Sequence, residues 1–367
     1  MAVRPCGLQR VIADRIDAID DERRGRVPLR RASVNAAEEV GLAGTDGAGT
    51  RAAEVFERIV RFVAVVPDDD EEISENLPGR GAHLPTYKLT IEYEGTRYSG
   101  WQAQGNTQKT VQGHLLRAAN QVLGEVEIGG AGRTDAGVHA SAQVAHLRTH
   151  KPIDPQLVAR KINDLLPHDI HIIDAVRARD DFHARHDATT RAYVYQISTR
   201  RSAFAKSFVW WIKDRLDFDA MQRAAKSIEG RHDFSAFTDK RLAQDESRIV
   251  VVESCELARA GDLILVRIAA SHFLWKMVRK IVAALVEVGR GTMKPEQFAA
   301  MLSAKAQPFQ PTAPPSGLFL DAIVYEGETF DLPLEPVVPV TRTMARRKAS
   351  RPVISTNARD DNPRRKR

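Results

Sequence analysis

Residues Val126-Glu127-Ile128-Gly129-Gly130-Ala131-Gly132-Arg133-Thr134-Asp135-Ala136-Gly137-Val138-His139-Ala140 read as a strand that runs into a glycine-crowded connection, and Gln143 to Leu147 resumes a strand beyond it. Glycines 129, 130, 132 and 137 fall in that connection, where they permit positive φ and close approach of backbone to a ligand. One carboxylate, Asp135, stands between Arg133 and Gly137. A carboxylate is ionised at neutral pH and suits a nucleophile that needs no activating base. An aspartate in a Gly-rich loop more commonly caps a turn, so this stretch alone leaves both readings open.

Working outward, Tyr87, Leu89, Ile91 and Tyr93 alternate with Lys88, Thr90 and Glu92 as in a half-buried strand. Thr110 can N-cap a helix that places Val111, Leu115, Ala119 and Val122 on one face. Asp154-Pro155 supplies the cap and first position of a second helix carrying Val158, Ile162 and Leu165. A strand over Ile170 to Val176 leads to Phe182-His183-Ala184-Arg185, taken as the crossing into a second domain. There Tyr193, Tyr195 and Ile197 share a strand face, and Met221, Ala225 and Ile228 suit a helix closing at Gly230. Ile249 to Leu257 and Leu263 to Ile268 form a hairpin about Ala260-Gly261-Asp262. The longest helical pattern is Phe273 to Val288, with Leu274, Val278, Ile281, Leu285 and Val288 inward and Gly289 as its stop. The fold class expected is α+β: two similar halves, residues 84–181 and 182–332, with mainly antiparallel sheet and helices packed on one side.

Four ordered motifs then carry a family resemblance. Gly132-Arg133-Thr134-Asp135-Ala136-Gly137-Val138-His139 resembles the catalytic motif of the TruA family of tRNA pseudouridine synthases. Upstream lies Tyr98-Ser99-Gly100-Trp101-Gln102; downstream come Phe182-His183-Ala184-Arg185 with Arg191-Ala192-Tyr193-Val194-Tyr195, and Phe273-Leu274-Trp275-Lys276-Met277-Val278-Arg279. Leu166-Pro167-His168-Asp169-Ile170 is similar to the family's Leu-Pro-x-Asp-Ile. The resemblance spans about residues 86 to 332. It implies an isomerase that converts uridine to pseudouridine at positions 38, 39 and 40 of the tRNA anticodon stem-loop, with the active cleft between the halves of each subunit of a homodimer.

By that resemblance Asp135 is the nucleophile, attacking either C6 of the base or C1′ of the sugar. Arg279 is its charge partner, since a guanidinium nearby favours an ionised carboxylate. Tyr193 stacks on the target base and its phenol is placed to move a proton. Arg133 reaches the target's backbone or occupies the space the base vacates, since duplex RNA must extrude a base before a side chain can reach it. Breaking the bond to N1 and remaking it to C5 adds no atom and changes no oxidation state, so no cofactor is expected, and no nucleotide, flavin or phosphate-loop pattern is present. His139 and His183 read as structural hydrogen-bonders rather than metal ligands. The last motif departs from the family's common form at Lys280, where an Asn is usual.

Composition narrows the remaining classes. The chain has 367 residues, 43% of them hydrophobic, which suits a packed core. No apolar run approaches the roughly 18 residues of a membrane span, and the start has no apolar signal region, so a cytoplasmic location is expected. Cys6 and Cys255 are far apart and suggest neither disulfide framework nor zinc knuckle. The net charge of +6 is uneven. Ten Lys or Arg face two Asp from Thr341 onward, a tail able to hold phosphates or simply to remain solvated, whereas acids outnumber bases over residues 1–83. Residues 1–83 read as an extension poor in core material, with one amphipathic helix plausible at Ala53 to Val66. Residues 333–367 form the basic tail. Alternatives to the tRNA reading are pseudouridylation of another RNA and a non-catalytic RNA-binding or chaperone role.

Overall fold

The computed structural model describes residues 84–105, 107–238 and 247–340, all within one compact unit, Glu75–Arg367. The readings made for residues 1–83 and for the basic cluster from 341 lie outside the described residues.

In chain order the elements are β1 (Thr86–Tyr93), α1 (Val111–Leu123), β2 (Val126–Gly130), β3 (His139–Thr149), α2 (Pro155–Asn163), β4 (Ile170–Arg177), β5 (Ala188–Ser198), β6 (Trp210–Trp211), α3 (Phe218–Lys226), β7 (Gly230–Asp233), β8 (Ile249–Ala260), β9 (Leu263–Ala270), α4 (Met277–Arg290), α5 (Pro295–Ala300) and β10 (Leu318–Tyr325). The ten strands form one sheet in the order β4-β1-β3-β10-β5-β9-β8-β7, with β2 on β3 and β6 on β5. Every pair is antiparallel except β10–β3 and β5–β6. The sheet is therefore mainly antiparallel, and the fold is α+β, as the sequence indicates. β10 comes last in sequence yet lies in the middle, between β3 and β5, and so joins the strands before residue 181 to those after 182.

The helices share one face. The alternate side chains Tyr87, Leu89, Ile91 and Tyr93 of β1, and Ile264, Val266, Ile268 and Ala270 of β9, pack in one apolar cluster with Val111, Leu115 and Ala119 of α1, Val158 and Ile162 of α2, and Ile281, Leu285 and Val288 of α4. At roughly 25 cal/mol per Å² of apolar area removed from water, this layer is the dominant favourable term. On the opposite face Leu263 and Leu265 meet Ala205, Val209, Leu334 and Val340, so the first residues assigned to the tail lie against the sheet.

Four local expectations are corrected. Gly129 and Gly130 belong to β2 rather than to the connection. A Cβ on Gly129 would lie 2.3 Å from His146 Cε1 and one on Gly130 2.5 Å from Trp101 Cε2, so these glycines admit large neighbours to the strand. Leu165 does not line α2, which ends at Asn163; it is exposed, and the buried Leu166 takes the core position as the chain leaves the helix ahead of Pro167. Ile228 is buried just beyond α3, and Gly230, at φ +100°, opens β7 instead of closing the helix. Finally, α4 begins at Met277 and runs to Arg290, with Gly291 at φ +78° as its stop. Gly289 lies inside the helix, where a Cβ would come 2.7 Å from Met221 Sδ; it lets α4 approach α3.

Candidate active site

The turn between β2 and β3 spans residues 131–138 and is tied down along its length. Ala131 N–H donates to the Val144 carbonyl at 2.8 Å, and the Gln143 amide grips Gly132, donating to its carbonyl at 2.7 Å and accepting from its N–H at 3.3 Å. Thr134 Oγ1 and Tyr93 Oη share a hydrogen bond of 2.8 Å inside the core. Burial pushes the Tyr93 phenol well above its ordinary range, so at neutral pH it is a neutral partner. Val138 N–H closes the turn on the Asp135 carbonyl at 3.1 Å.

The upstream motif is the support beneath this turn. Trp101 N–H donates to the Thr134 carbonyl at 3.1 Å, and Gly137 N–H donates to the Tyr98 carbonyl at 3.3 Å. Gly100 sits at φ +100°, and a Cβ there would stand 2.5 Å from the Thr134 oxygen, so both conformation and space demand glycine. Tyr98 is held in turn by Asp169 of the Leu166-to-Ile170 motif, whose carboxylate accepts from Tyr98 Oη and from the Arg97 guanidinium. Burial opposes charge on Asp169, but those donors outweigh it and lower its pKa.

His139 behaves as expected of a structural residue. Its Nδ1 accepts from Gly95 N–H at 2.9 Å, which leaves Nε2–H to donate to the Ser207 carbonyl at 2.9 Å, and the ring stacks on Phe319. Burial lowers its pKa. His183 Nδ1 accepts from the N–H groups of Arg185 and His186, and its ring lies beside those of His146 and His186. Among the described residues no group of three or more His, Cys, Asp or Glu side chains is placed to hold a metal ion.

Three of the four residues singled out from the sequence converge. Asp135 Oδ2 accepts from Arg279 Nη1 at 3.0 Å, with the two side chains 26% and 14% exposed, so the pair is partly open to solvent rather than sealed in the core. Arg279 lies in the first turn of α4; its Nε donates to the Ala313 carbonyl at 2.8 Å, and Ala313 N–H returns a bond to the Arg279 carbonyl. One guanidinium thus braces both the carboxylate and the strap over residues 309–317. Tyr193 on β5 is 8% exposed, with its ring edge-on to Phe273 at 5.0 Å. Its phenol lies near Gly132, where a Cβ would be 3.8 Å from Tyr193 Oη. Burial first, then the nearby Tyr93 and Asp135, hold the Tyr193 phenol above its usual range. Arg133 does not join them: it is exposed and makes no hydrogen bond or ion pair to a described residue.

Two further residues beside the site face inward. Tyr195 is fully buried and donates to the Pro314 carbonyl at 2.8 Å, so it is core, as most strand tyrosines are. Lys280, which stands where the family commonly has Asn, faces inward, 3% exposed, with Nζ donating to the Phe309 carbonyl at 2.6 Å, and so braces the strap. One contact to Asp135 went unread: Trp275 Nε1–H donates to Asp135 Oδ1 at 3.1 Å. Trp275 lies within the quoted motif, four residues before Arg279, so proximity to that Arg was the available signal.

Comparison with known proteins identifies the family. The family model described as tRNA pseudouridine synthase matches residues 89–187 and 224–326. The tRNA pseudouridine synthase A of Rhodopseudomonas palustris (strain BisA53) is 43% identical over 248 residues, 66% of this chain and 100% of that protein. Its namesake from Maricaulis maris (strain MCS10) is 41% identical over 249 residues, 66% of this chain and 99% of that protein. The one from Chlorobium chlorochromatii (strain CaD3) is 40% identical over 244 residues, 66% of this chain and all of that protein. The matched residues hold the Asp135 turn and α4 with Arg279, and the chain belongs to the TruA family of tRNA pseudouridine synthases, a family of isomerases.

Proposed function

We propose that this enzyme isomerises uridine to pseudouridine at positions 38, 39 and 40 of the tRNA anticodon stem-loop, with Asp135 as the covalent nucleophile. The observation that carries the reading is the Asp135 carboxylate held at 3.0 Å by Arg279 beside the nearly buried Tyr193. An ionised carboxylate is a nucleophile that needs no activating base, and the guanidinium fixes where it stands. The choice of positions rests on the resemblance of the four motifs. The target base leaves the stem, at a cost of about a few kcal/mol, before it meets the carboxylate. The Tyr193 face offsets part of that cost by stacking, and its phenol moves a proton late in the reaction. Arg133, without a hydrogen-bond or ion-pair partner among the described residues, contacts the backbone or the space the base vacates. Shape and phosphate contacts select the stem-loop, as is general for structured RNA.

The reaction needs no cofactor, and the enzyme acts as a cytoplasmic homodimer in this reading. No helix among the described residues is long and apolar enough to cross a membrane. Incubation with unmodified tRNA, followed by carbodiimide-dependent reverse-transcription stops, tests the central statement. Stops at 38 to 40 with wild type and none with Asp135→Asn are expected; stops elsewhere point to another RNA target, and tight binding without stops to a binding role. Sedimentation showing only monomer at working concentration removes the dimer.

A further inference from the structure

Arg279 accounts for one oxygen of Asp135; the other is held by Trp275, whose indole N–H donates to Oδ1 at 3.1 Å. We infer that Trp275 is a positioning residue for the reaction, its N–H and the Arg279 guanidinium together fixing the plane of the Asp135 carboxylate toward the incoming nucleotide. The inference rests on the reading of Asp135 as nucleophile.

The terminal torsion of an aspartate is broad and roughly two-fold. A single donor leaves the carboxylate free to swing about that contact. Two donors, one on each oxygen, remove this freedom. A carboxylate offers about four lone-pair sites, so sites remain for attack once both donors are engaged. Correct aim matters because a near-attack geometry is a large part of what a site contributes to rate.

The indole is placed by its surroundings. Leu274 before it is buried, and the Trp275 carbonyl accepts from the buried Thr238 hydroxyl at 3.2 Å. Lys276 after it has φ +59°, the one positive φ outside glycine among the described residues, and it stands at the N-cap of α4 with no capping bond from its side chain. Such a conformation costs energy in a side chain of this kind and persists where the surroundings impose it. Here it turns the chain so that Trp275, just ahead of α4, and Arg279, in its first turn, reach the same carboxylate. Lys276 Nζ also lies 4.1 Å from the Trp275 ring centroid, a cation on the indole face. Although 36% exposed, the ring directs its N–H to the carboxylate rather than to solvent.

The test replaces Trp275 with benzothienylalanine, which exchanges the ring N–H for sulfur in the same frame, alongside Trp275→Phe. Single-turnover pseudouridine formation and tRNA affinity are measured for both, with wild type and Asp135→Asn as references. The expected result is a rate lowered about ten-fold with both replacements, in keeping with loss of one hydrogen bond to a charged group, and a tRNA affinity that stays within two-fold. A benzothienylalanine protein as fast as wild type overturns the inference, whatever Trp275→Phe does, as does a faster one, which makes the indole a block on attack. An inactive wild type, by contrast, defeats the proposed function itself.

Discussion

Arg279 and Asp135 are 144 residues apart in sequence and 3.0 Å apart in the fold. The contact exists because β10 joins the strand that follows the Asp135 turn to the strands that carry α4 on their helical face. Arg279 answers two demands at once, through Nη1 to the carboxylate and Nε to the Ala313 carbonyl. A lysine is a point charge and cannot serve both in that geometry. Arg279→Lys is therefore expected to lower single-turnover pseudouridine formation about 100-fold, the scale of losing one preorganised electrostatic contact in a site, while tRNA affinity changes by less than about five-fold. Single-turnover kinetics with a parallel filter-binding titration check this.

Tyr193 Oη has no hydrogen-bond partner among the described residues, and its ring rests edge-on against Phe273. Tyr193→Phe removes only the unpartnered hydroxyl, so its thermal midpoint and tRNA affinity should match wild type while product forms at least about ten-fold more slowly, the lower end of what a positioned acid–base group contributes. Tyr193→Leu also removes the stacking face, about 1–3 kcal/mol per base, and should weaken affinity for the anticodon stem-loop by ten-fold or more. The two variants together separate stacking from proton transfer.

Acid stability offers a check on the fold that is independent of RNA. His183 has its pKa lowered to about 4, chiefly by burial and then by His146, His186 and Arg148. Glu127 is lowered to about 2, first by its hydrogen bond with His146 and further by Arg148. Both folded values lie below the unfolded ones, so the unfolded chain binds more protons and stability falls as pH falls. The His183 contribution is intact above about 6.5 and lost toward 4; that of Glu127 is intact above about 4.5 and lost toward 2. Urea midpoints measured from pH 7 to 3 should decline through both windows, and His183→Asn should flatten the upper one and leave the lower.

Much of this site is legible in the sequence because its parts are local. The Asp135 turn, the alternation that puts Tyr193 and Tyr195 on one face of β5 and the helical spacing that brings Arg279 to the edge of an apolar stripe are short-range patterns. What stays hidden is relational. Nothing in the pattern around Gly289 separates a helix stop from a packing notch, because the difference lies in Met221 on another helix. The same holds for Lys280, whose partner is the Phe309 carbonyl, and for Trp275, whose N–H points at a loop 140 residues away. Tyr193 and Tyr195 look alike in sequence, yet the Pro314 carbonyl receives one phenol while the other has no hydrogen-bond partner among the described residues.

Gly289 makes the packing argument measurable. In an open helix a glycine costs about 1 kcal/mol relative to alanine, so Gly289→Ala would ordinarily stabilise. Here the new Cβ would come 2.7 Å from Met221 Sδ and 3.2 Å from Leu216 Cδ2. Met221 is flexible and can yield to a methyl group, but Gly289→Val forces the helices apart. The expected outcome is a near-neutral alanine and a valine that loses about 1–3 kcal/mol, read from denaturant midpoints. A valine as stable as wild type would show that α3 and α4 do not approach as described.

Arg133 is the reverse case, a residue with no structural employment. Its neighbours Thr134 and Asp135 are both bonded into the protein, whereas its own guanidinium is exposed and unpaired to any described residue. Exposed side chains away from packing or networks contribute within about ±0.5 kcal/mol to stability, so Arg133→Ala should leave the thermal midpoint unchanged. If it meets the RNA backbone, removing one phosphate contact should weaken binding across tRNA sequences and reduce the slope of log affinity against log salt by about 1. If it fills the space left by the extruded base, the salt slope stays put and the rate falls at saturating tRNA instead, because the cost lies in holding the base out. Salt-dependent binding and saturating single-turnover rates on one variant therefore distinguish the two roles, and an Arg133→Ala protein that matches wild type in both removes Arg133 from the site.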